Sequence, residues 1–119
     1  KNRLWLVGGT DDEGAHADIW STQDGKNWVR ELVAAPFGAR AGSKLIVFQN
    51  KLWLIAGYDT LNSEYKNDIW SSTDGVNWQE ENSNATFDVK SSFLIEVFQE
   101  KIWSKTNRNH SFWRKTNCT

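Results

Sequence analysis

Apolar runs of strand length, separated by turn residues, follow one another along the chain. Residues 43–48 and 51–56 are rich in Ile, Leu, Val and aromatic residues, and Gln49-Asn50 between them suits a tight hairpin turn. Residues 68–72 and 77–81 predict a third and a fourth strand. Because no segment keeps the helical period of about 3.6 residues, the pattern predicts an all-β chain of four-stranded antiparallel units.

The units recur with an offset of 50 residues. Asp18-Ile19-Trp20-Ser21 returns as Asp68-Ile69-Trp70-Ser71, and Asp24-Gly25 returns as Asp74-Gly75. Glycine adopts the positive φ of a primed hairpin turn at little cost, so we predict tight hairpins with Gly25 and Gly75 in that conformation.

The eight tryptophans fall into three columns of this repeat. The columns are Trp5, Trp53 and Trp103; Trp20, Trp70 and Trp113; and Trp28 and Trp78. Fixed positions in apolar strands are typical of packing residues. We therefore predict that Trp53 and Trp70 are buried within or between units and do not form a platform for a ligand.

The repeat divides residues 1–119 into a partial unit at 1–35, a complete unit at 36–83 and a partial, degenerate unit at 84–119. This division predicts ten strands, grouped as three, four and three. One such sheet has apolar residues on both faces, and the stacking of neighbouring sheets covers them. Radial stacking gives a β-propeller, which needs about four to eight blades to close, so we expect this segment to be an incomplete propeller.

The pattern resembles the kelch repeat. Leu4-Trp5-Leu6-Val7-Gly8-Gly9 is similar to the second kelch strand with its paired glycines, Asp18-Ile19-Trp20 to the third strand, and Trp28 to the residue that opens the fourth. Residues 21–25 show a weaker similarity to the Asp-box of sialidase-like propellers. The resemblance implies a kelch-type β-propeller with four-stranded blades.

The resemblance also implies that a ligand binds at the rim, where the connections between repeats meet the loops between the second and third strands. In this chain the rim residues are Asp11, Asp12, Glu13, His16, Phe37, Arg40, Tyr58, Asp59, Glu64 and Tyr65. The acidic run at 11–13 lacks the spacing of an EF-hand, so we interpret it as a solvated loop. Arg40 has two interpretations: it clamps a ligand carboxylate in the central channel, or it bonds backbone carbonyls between blades.

Composition argues against several classes of function. The formal net charge of -1 produces no field that attracts nucleic acid, and no apolar run is long enough for a membrane-spanning helix. The single cysteine, Cys118, cannot form an internal disulfide. The sequence carries no catalytic triad, zinc spacing or phosphate-binding loop, so we expect no catalytic residue, no metal and no cofactor.

These features favour a non-catalytic recognition or scaffold module that binds a protein or a glycan through rim loops. Two alternatives remain open: a fragment of a carbohydrate-active propeller enzyme of the sialic acid epimerase or galactose oxidase type, and a structural subunit that assembles through open blade edges. Further blades, self-association or another subunit would cover the open blade faces. The tryptophan-rich turns resemble those of secreted bacterial propellers, so we expect an extracellular or envelope location. Glycosylation sequons begin at Asn84, Asn109 and Asn117.

Overall fold

The chain folds into three antiparallel sheets that follow one another in sequence. This computed structural model describes residues 2–86 in full and, beyond them, the backbone of residues 93–98, 101–106 and 114–115. The first sheet contains β1 (Leu4–Asp11), β2 (Gly14–Thr22) and β3 (Trp28–Leu32). The second contains β4 (Lys44–Phe48), β5 (Lys51–Asp59), β6 (Glu64–Ser72) and β7 (Gln79–Asn82), and the third contains β8 (Phe93–Phe98), β9 (Lys101–Thr106) and β10 (Arg114–Lys115).

Each sheet is a meander in which strands adjacent in sequence are hydrogen-bonded neighbours. Antiparallel neighbours need only a short hairpin connection, which the closely spaced turn signals supply. The described residues contain ten strands, grouped as three, four and three, and no helix, which confirms the all-β fold and its strand count. The first strands of the second and third sheets, β4 and β8, lie side by side.

The turn between β4 and β5 is a two-residue hairpin, as predicted. Phe48 pairs with Lys51 across it, and the two central residues have positive φ, 52° at Gln49 and 60° at Asn50. Positive φ at both central residues is the mark of a type I′ turn, whose twist matches that of the strands it joins. Asparagine tolerates this conformation better than most residues do.

The connections at the two Asp-Gly pairs are loops of five and six residues. Residues 23–27 join β2 to β3, and residues 73–78 join β6 to β7, whereas the strands predicted at 68–72 and 77–81 left only residues 73–76 for the second turn. The glycine conformation is confirmed, with φ of 79° at Gly25 and 82° at Gly75. A two-residue turn fails here because the aspartate side chain captures the backbone N–H groups that follow it.

Asp24 organises its loop through one carboxylate. Its Oδ1 accepts hydrogen bonds from the backbone N–H groups of Lys26 and Asn27, both at 2.8 Å, and its Oδ2 accepts one from the Asn27 side chain at 2.9 Å. These donors, led by the backbone N–H of Asn27, hold the pKa of Asp24 well below its ordinary value. Asp74 accepts the equivalent three bonds, and its pKa is lowered in the same way.

The equivalent strand pairs β1–β2 and β5–β6 each contain a bulge at the small-residue pair. Pairing shifts between Val7 and Gly9 in β1, and between Ile55 and Gly57 in β5. Gly8 lies opposite Ala17 and Asp18, and Ala56 opposite Asn67 and Asp68, so the extra residue of each bulge is on β2 and on β6. Gly8 and Ala56 have φ of 61° and 60°, a left-handed conformation that glycine adopts at least cost, which explains the glycine at this position of the first unit.

The second sheet presents apolar residues on both faces. Leu54 lies in a buried cluster with Ile19 and Phe37, against which Trp70 packs, between the first and second sheets. On the opposite face, Trp53 lies in a second cluster, formed with Phe48, Ile46, Ile55, Ala56, Ile69 and Ala85. Trp53 is 4% exposed, which confirms the prediction of burial, whereas Trp70 is only partly buried.

Candidate binding rim

The residues of the candidate site come from two hairpin tips and the connection that runs between them. The β1–β2 hairpin turns after Asp11, the β5–β6 hairpin turns after Asp59, and residues 33–43 connect the two sheets. The Arg40 N–H donates to the carbonyl of His16 at 3.3 Å on one side. On the other side, Ala41 exchanges two backbone hydrogen bonds with Tyr58, at 2.9 and 2.7 Å. The connection thus joins both hairpins.

Arg40 is buried beneath this rim, and its guanidinium is occupied by the protein. Nη1 and Nη2 donate to the two carboxylate oxygens of Asp68 at 2.6 and 3.0 Å. The same nitrogens donate to the carbonyls of Ala56 at 3.0 Å and Phe37 at 2.5 Å. Of the two interpretations of Arg40, the bonding of backbone carbonyls is the one that the structure shows.

Two of the predicted rim residues are therefore inaccessible to a ligand. Arg40 is 3% exposed and Phe37 is 6% exposed, so their prediction as ligand-binding residues is wrong in the described structure. Phe37 packs its ring edge-on against Trp70 and Trp78, with centroid distances of 5.8 and 5.3 Å. Burial of an arginine in this position is tolerated because Asp68 compensates its charge.

Sequence reasoning missed Asp68 as the partner of Arg40. Its signal was the recurrence of aspartate two residues before tryptophan, at Asp18 and Asp68. In both copies the carboxylate accepts a hydrogen bond from that indole N–H, at 2.8 Å for Trp20 and 2.9 Å for Trp70. Periodicity placed the aspartate on a strand but gave no indication of what lies opposite it.

Asp11 and His16 form an exposed pair on the first hairpin. Asp11 Oδ2 lies 2.7 Å from His16 Nε2, and Asp11 Oδ1 accepts the backbone N–H of Glu13 at 2.8 Å. The bond to Asp11 raises the pKa of His16 above its ordinary value, and the bond to His16 lowers the pKa of Asp11.

The acidic side chains at the tip of the first hairpin do not converge. Asp12 and Glu13 are exposed beside Asp11. Within residues 2–86, no group of three or more His, Cys, Asp or Glu side chains is arranged to hold a metal ion. The run at 11–13 keeps the geometry of a solvated turn.

Tyr58 and Tyr65 form an aromatic pair on the second hairpin. They occupy opposite positions on β5 and β6, and their ring centroids lie 4.7 Å apart with a tilt of 60°. Tyr65 is 51% exposed. Beside the pair, the Lys66 ammonium donates to Glu64 at 2.9 Å. An exposed aromatic face thus lies next to one positive and one negative group.

Asp59 shapes the tip of this hairpin. It accepts the backbone N–H groups of Leu61 and Asn62 at 3.0 and 3.1 Å, and the side-chain amide of Asn62 at 2.8 Å. These bonds, led by the Asn62 side chain, lower the pKa of Asp59. The predicted rim residues that the structure leaves accessible are Asp11, Asp12, Glu13, His16, Tyr58, Asp59, Glu64 and Tyr65.

Most of the tryptophan indoles in the described part are engaged in the framework. Trp53 donates to the Phe48 carbonyl at 2.9 Å, and Trp78 donates to the Gly75 carbonyl at 3.0 Å. Trp28 is the most exposed of those whose side chains are described, at 40%. Trp103 lies on β9 and Trp113 precedes β10, and the side chains of both lie outside the described residues.

Comparison with known proteins agrees with this architecture. The family model described as the DUF6242 beta propeller domain matches residues 1–118. The solved structure of YjhT is similar to the chain with a TM-score of 0.57 at 15% sequence identity, which bears on the fold alone. That match covers 97% of this chain and 48% of YjhT, so the chain spans about half the length of this structural neighbour. No curated protein matches the sequence. Within the described residues, no helix is long and apolar enough to cross a membrane.

Proposed function

The chain belongs to the DUF6242 beta propeller domain family, and from this premise we propose that it is a recognition module of kelch type that binds a protein or a glycan through its rim. The binding surface consists of the β1–β2 and β5–β6 hairpin tips. It contains the Asp11–His16 pair on one side of the connection and the Tyr58–Tyr65 pair on the other. Propellers host many activities on one fold, so the proposal depends on the rim residues themselves.

The observation that supports this function is a difference between two sets of positions in the repeat: those that pack or shape the sheets, here called the frame, and those at the hairpin tips, here called the rim. Frame positions recur between the first two units, as in the pairs Asp24 and Asp74, Trp20 and Trp70. Apart from the recurring aspartate, Asp11 and Asp59, the rim positions differ: Tyr58, Tyr65 and Lys66 occupy the positions of Thr10, Ala15 and His16 in the first unit. The repeated fold does not require a particular residue at these positions, so they are available for specific contacts.

The chemistry of the rim suits a surface that is both apolar and polar. Tyrosine provides a large, rigid contact area with a hydroxyl, and it is enriched among the residues that contribute most to interfaces. The Tyr58–Tyr65 pair lies one residue pair before the end of the β5–β6 hairpin, and Tyr65 is half exposed, so the pair offers a contact surface to a protein partner more readily than an enclosed site for a sugar. Arg40, on which a carboxylate-binding enzyme site would depend, is occupied by Asp68.

The proposal is tested in the intact protein with a variant that removes the aromatic pair. Tyr58→Ala combined with Tyr65→Ala is compared with Val47→Ala. Val47 is an exposed apolar residue on β4 that pairs with Leu52, near the opposite end of β5. Two probes are used: an array of neutral and sialylated oligosaccharides, and quantitative capture from an extract of the source cells. We expect binding by the wild type and the Val47 variant to be lost in the double variant.

The two probes separate the ligand classes. If the wild type binds a glycan that the double variant does not bind, the ligand is a sugar. If the wild type captures a protein that the double variant does not capture, the ligand is a protein. Equal binding by all three proteins in both assays would overturn the proposal that the hairpin tips recognise a ligand.

A further inference from the structure

The sequence contains two tyrosines, and the fold brings them into contact. Tyr58 on β5 and Tyr65 on β6 lie directly opposite each other, and their ring centroids are 4.7 Å apart. Side chains opposite each other on an antiparallel pair stand on the same face, with Cβ atoms about 5 Å apart. The repeat does not require such a pair, because Thr10 and Ala15 face each other at the equivalent place in the first unit.

The tyrosine pair differs from the other ring pairs of the described residues in distance and in accessibility. Those pairs have centroid distances of 5.8, 5.3 and 6.3 Å, and each contains a buried phenylalanine, Phe37 or Phe48. Tyr65, in contrast, is 51% exposed, and Tyr58 is half-buried. The two phenols of the chain therefore lie together where a reagent in solution reaches them.

The backbone holds the two rings in this arrangement. β5 pairs with β6 on either side of the tyrosines, and Ala41 exchanges two backbone hydrogen bonds with Tyr58, at 2.9 and 2.7 Å. Beyond the pair, Asp59 accepts the N–H groups of Leu61 and Asn62 and so closes the hairpin. A reaction between the two rings consequently needs no rearrangement of the strands.

We propose that Tyr58 and Tyr65 form a site of oxidative crosslinking, at which a haem peroxidase and hydrogen peroxide join the two rings as dityrosine. Each phenol first gives up one electron and its hydroxyl proton, and the two phenoxyl radicals couple through a ring carbon ortho to each oxygen. Each of these carbons then loses its hydrogen as a proton while each oxygen regains one, which restores both phenols. One C–C bond replaces two C–H bonds, and the two electrons and two protons that are released reduce one hydrogen peroxide to two waters.

The crosslink joins β5 to β6 within the binding rim. The tyrosines lie one residue pair before the hairpin loop, so the new bond closes a covalent ring around the loop that Asp59 shapes. Oxidation thereby converts two separate side chains into a single rigid group. This chemistry does not depend on whether the rim binds a protein or a glycan, and it is tested without a ligand.

Oxidation of the intact protein tests the proposal directly. The protein, in dilute solution, is treated with a haem peroxidase and one equivalent of hydrogen peroxide. We expect dityrosine fluorescence in a product that remains a monomer and that has lost two hydrogen atoms by mass spectrometry. Peptide mapping should join the segments that contain Tyr58 and Tyr65. Dityrosine that forms only between molecules, or oxidation of tryptophan without dityrosine, would overturn the proposal.

Two variants separate the position of the tyrosines from their number. Tyr65→Phe keeps the ring contact but removes one phenol, so it should form no crosslink within a molecule. Tyr65→Phe combined with Val76→Tyr restores two tyrosines per chain, with the second beyond the far end of β6, where Val76 is 36% exposed. Because a strand rises about 3.3 Å per residue, this second phenol lies roughly 20 Å or more from Tyr58.

The rate of crosslinking distinguishes contact in the fold from collision in solution. We expect the wild type to form dityrosine at least about tenfold faster than the Tyr65→Phe/Val76→Tyr variant, because contact within one molecule replaces a bimolecular encounter. The wild-type rate per molecule should also stay constant on dilution. Equal rates for the two proteins, or a wild-type rate that falls in proportion to concentration, would show that the fold does not place Tyr58 and Tyr65 for this reaction.

Discussion

Replacement of Arg40 by methionine removes the charged group that holds the connection between the first two sheets to Asp68 on the strand beneath it. Methionine keeps much of the apolar stem and removes the guanidinium. The carboxylate of Asp68, whose side chain is 10% exposed, then loses its two closest cationic donors. The carbonyls of Phe37 and Ala56 lose a donor each. The Ala56 carbonyl still accepts from the Ser43 hydroxyl at 2.8 Å, so the perturbation is an unpaired buried charge together with one carbonyl, that of Phe37, which must find water.

The expected cost follows from these contacts. Removing one partner of a buried ion pair destabilises a protein by about 3–5 kcal/mol. The Phe37 carbonyl, left without a partner, would add about 1–3 kcal/mol if no water reached it. The indole of Trp70 still donates to Asp68, and the connection is close enough to the surface for water to enter, so the terms do not add in full. We expect Arg40→Met to lower the free energy of unfolding by about 4 kcal/mol.

A lysine at the same position separates charge from geometry. Arg40→Lys keeps the positive charge, but a compact ammonium cannot reach two carboxylate oxygens and two carbonyls at once. We expect a loss of about 2 kcal/mol, between those of the wild type and the methionine variant. The sequence has Lys90 at the corresponding position of the third unit, outside the described residues.

Urea unfolding of the intact protein at pH 7, followed by tryptophan fluorescence, measures these values. Arg30→Met is the matched control, because Arg30 is exposed and only lies over the ring of Trp20, a contact worth less than about 1 kcal/mol. In a double-mutant cycle, Arg40→Met and Asp68→Asn should show a coupling of about 2 kcal/mol or more. An Arg40→Met variant within 1 kcal/mol of the wild type would refute this account of the connection.

Three further outcomes are expected in the intact protein. Trp53→Ala should cost about 3–5 kcal/mol in urea unfolding, because the indole is buried and donates to a strand carbonyl; a smaller loss than 1 kcal/mol would contradict its place in the core. Gly75→Ala should lower the melting temperature more than Gly38→Ala, since it adds overlap with a packed indole to the same backbone strain, and equal losses would exclude that overlap. The pKa of His16 measured by NMR should lie above 6.5 and should return towards 6.5 in Asp11→Asn. Because the pKa of His16 is raised in the folded state, the stabilisation from the Asp11–His16 pair is present below pH 6.5 and is lost as the pH rises through the folded pKa. A wild-type pKa below 6.5 would contradict the pairing.

Local chemistry was readable from the sequence wherever a few adjacent residues decide the conformation. The tight hairpin turn at Gln49-Asn50 and the positive φ of Gly25 and Gly75 were predicted because backbone sterics act within one or two residues. The bulges opposite Gly8 and Ala56 have a sequence signal in the isolated small pair within a strand. The loop at Asp74 is longer than the predicted strands allowed, because its side chain captures backbone N–H groups and so competes with a tight turn.

The sequence by itself determined the all-β fold, its strand count and its repeat, because a period of two within strands and an offset of 50 between units are properties of the chain alone. Only the tertiary structure decided which rim residues are accessible. Arg40 and Tyr58 looked equally suited to a ligand, yet Arg40 lies beneath the connection because Asp68, 28 residues away in the chain, compensates its charge there. The pairing of Tyr58 with Tyr65, likewise, follows from strand register across a hairpin. Burial and partnership depend on packing between distant segments, which the order of residues along one strand does not specify.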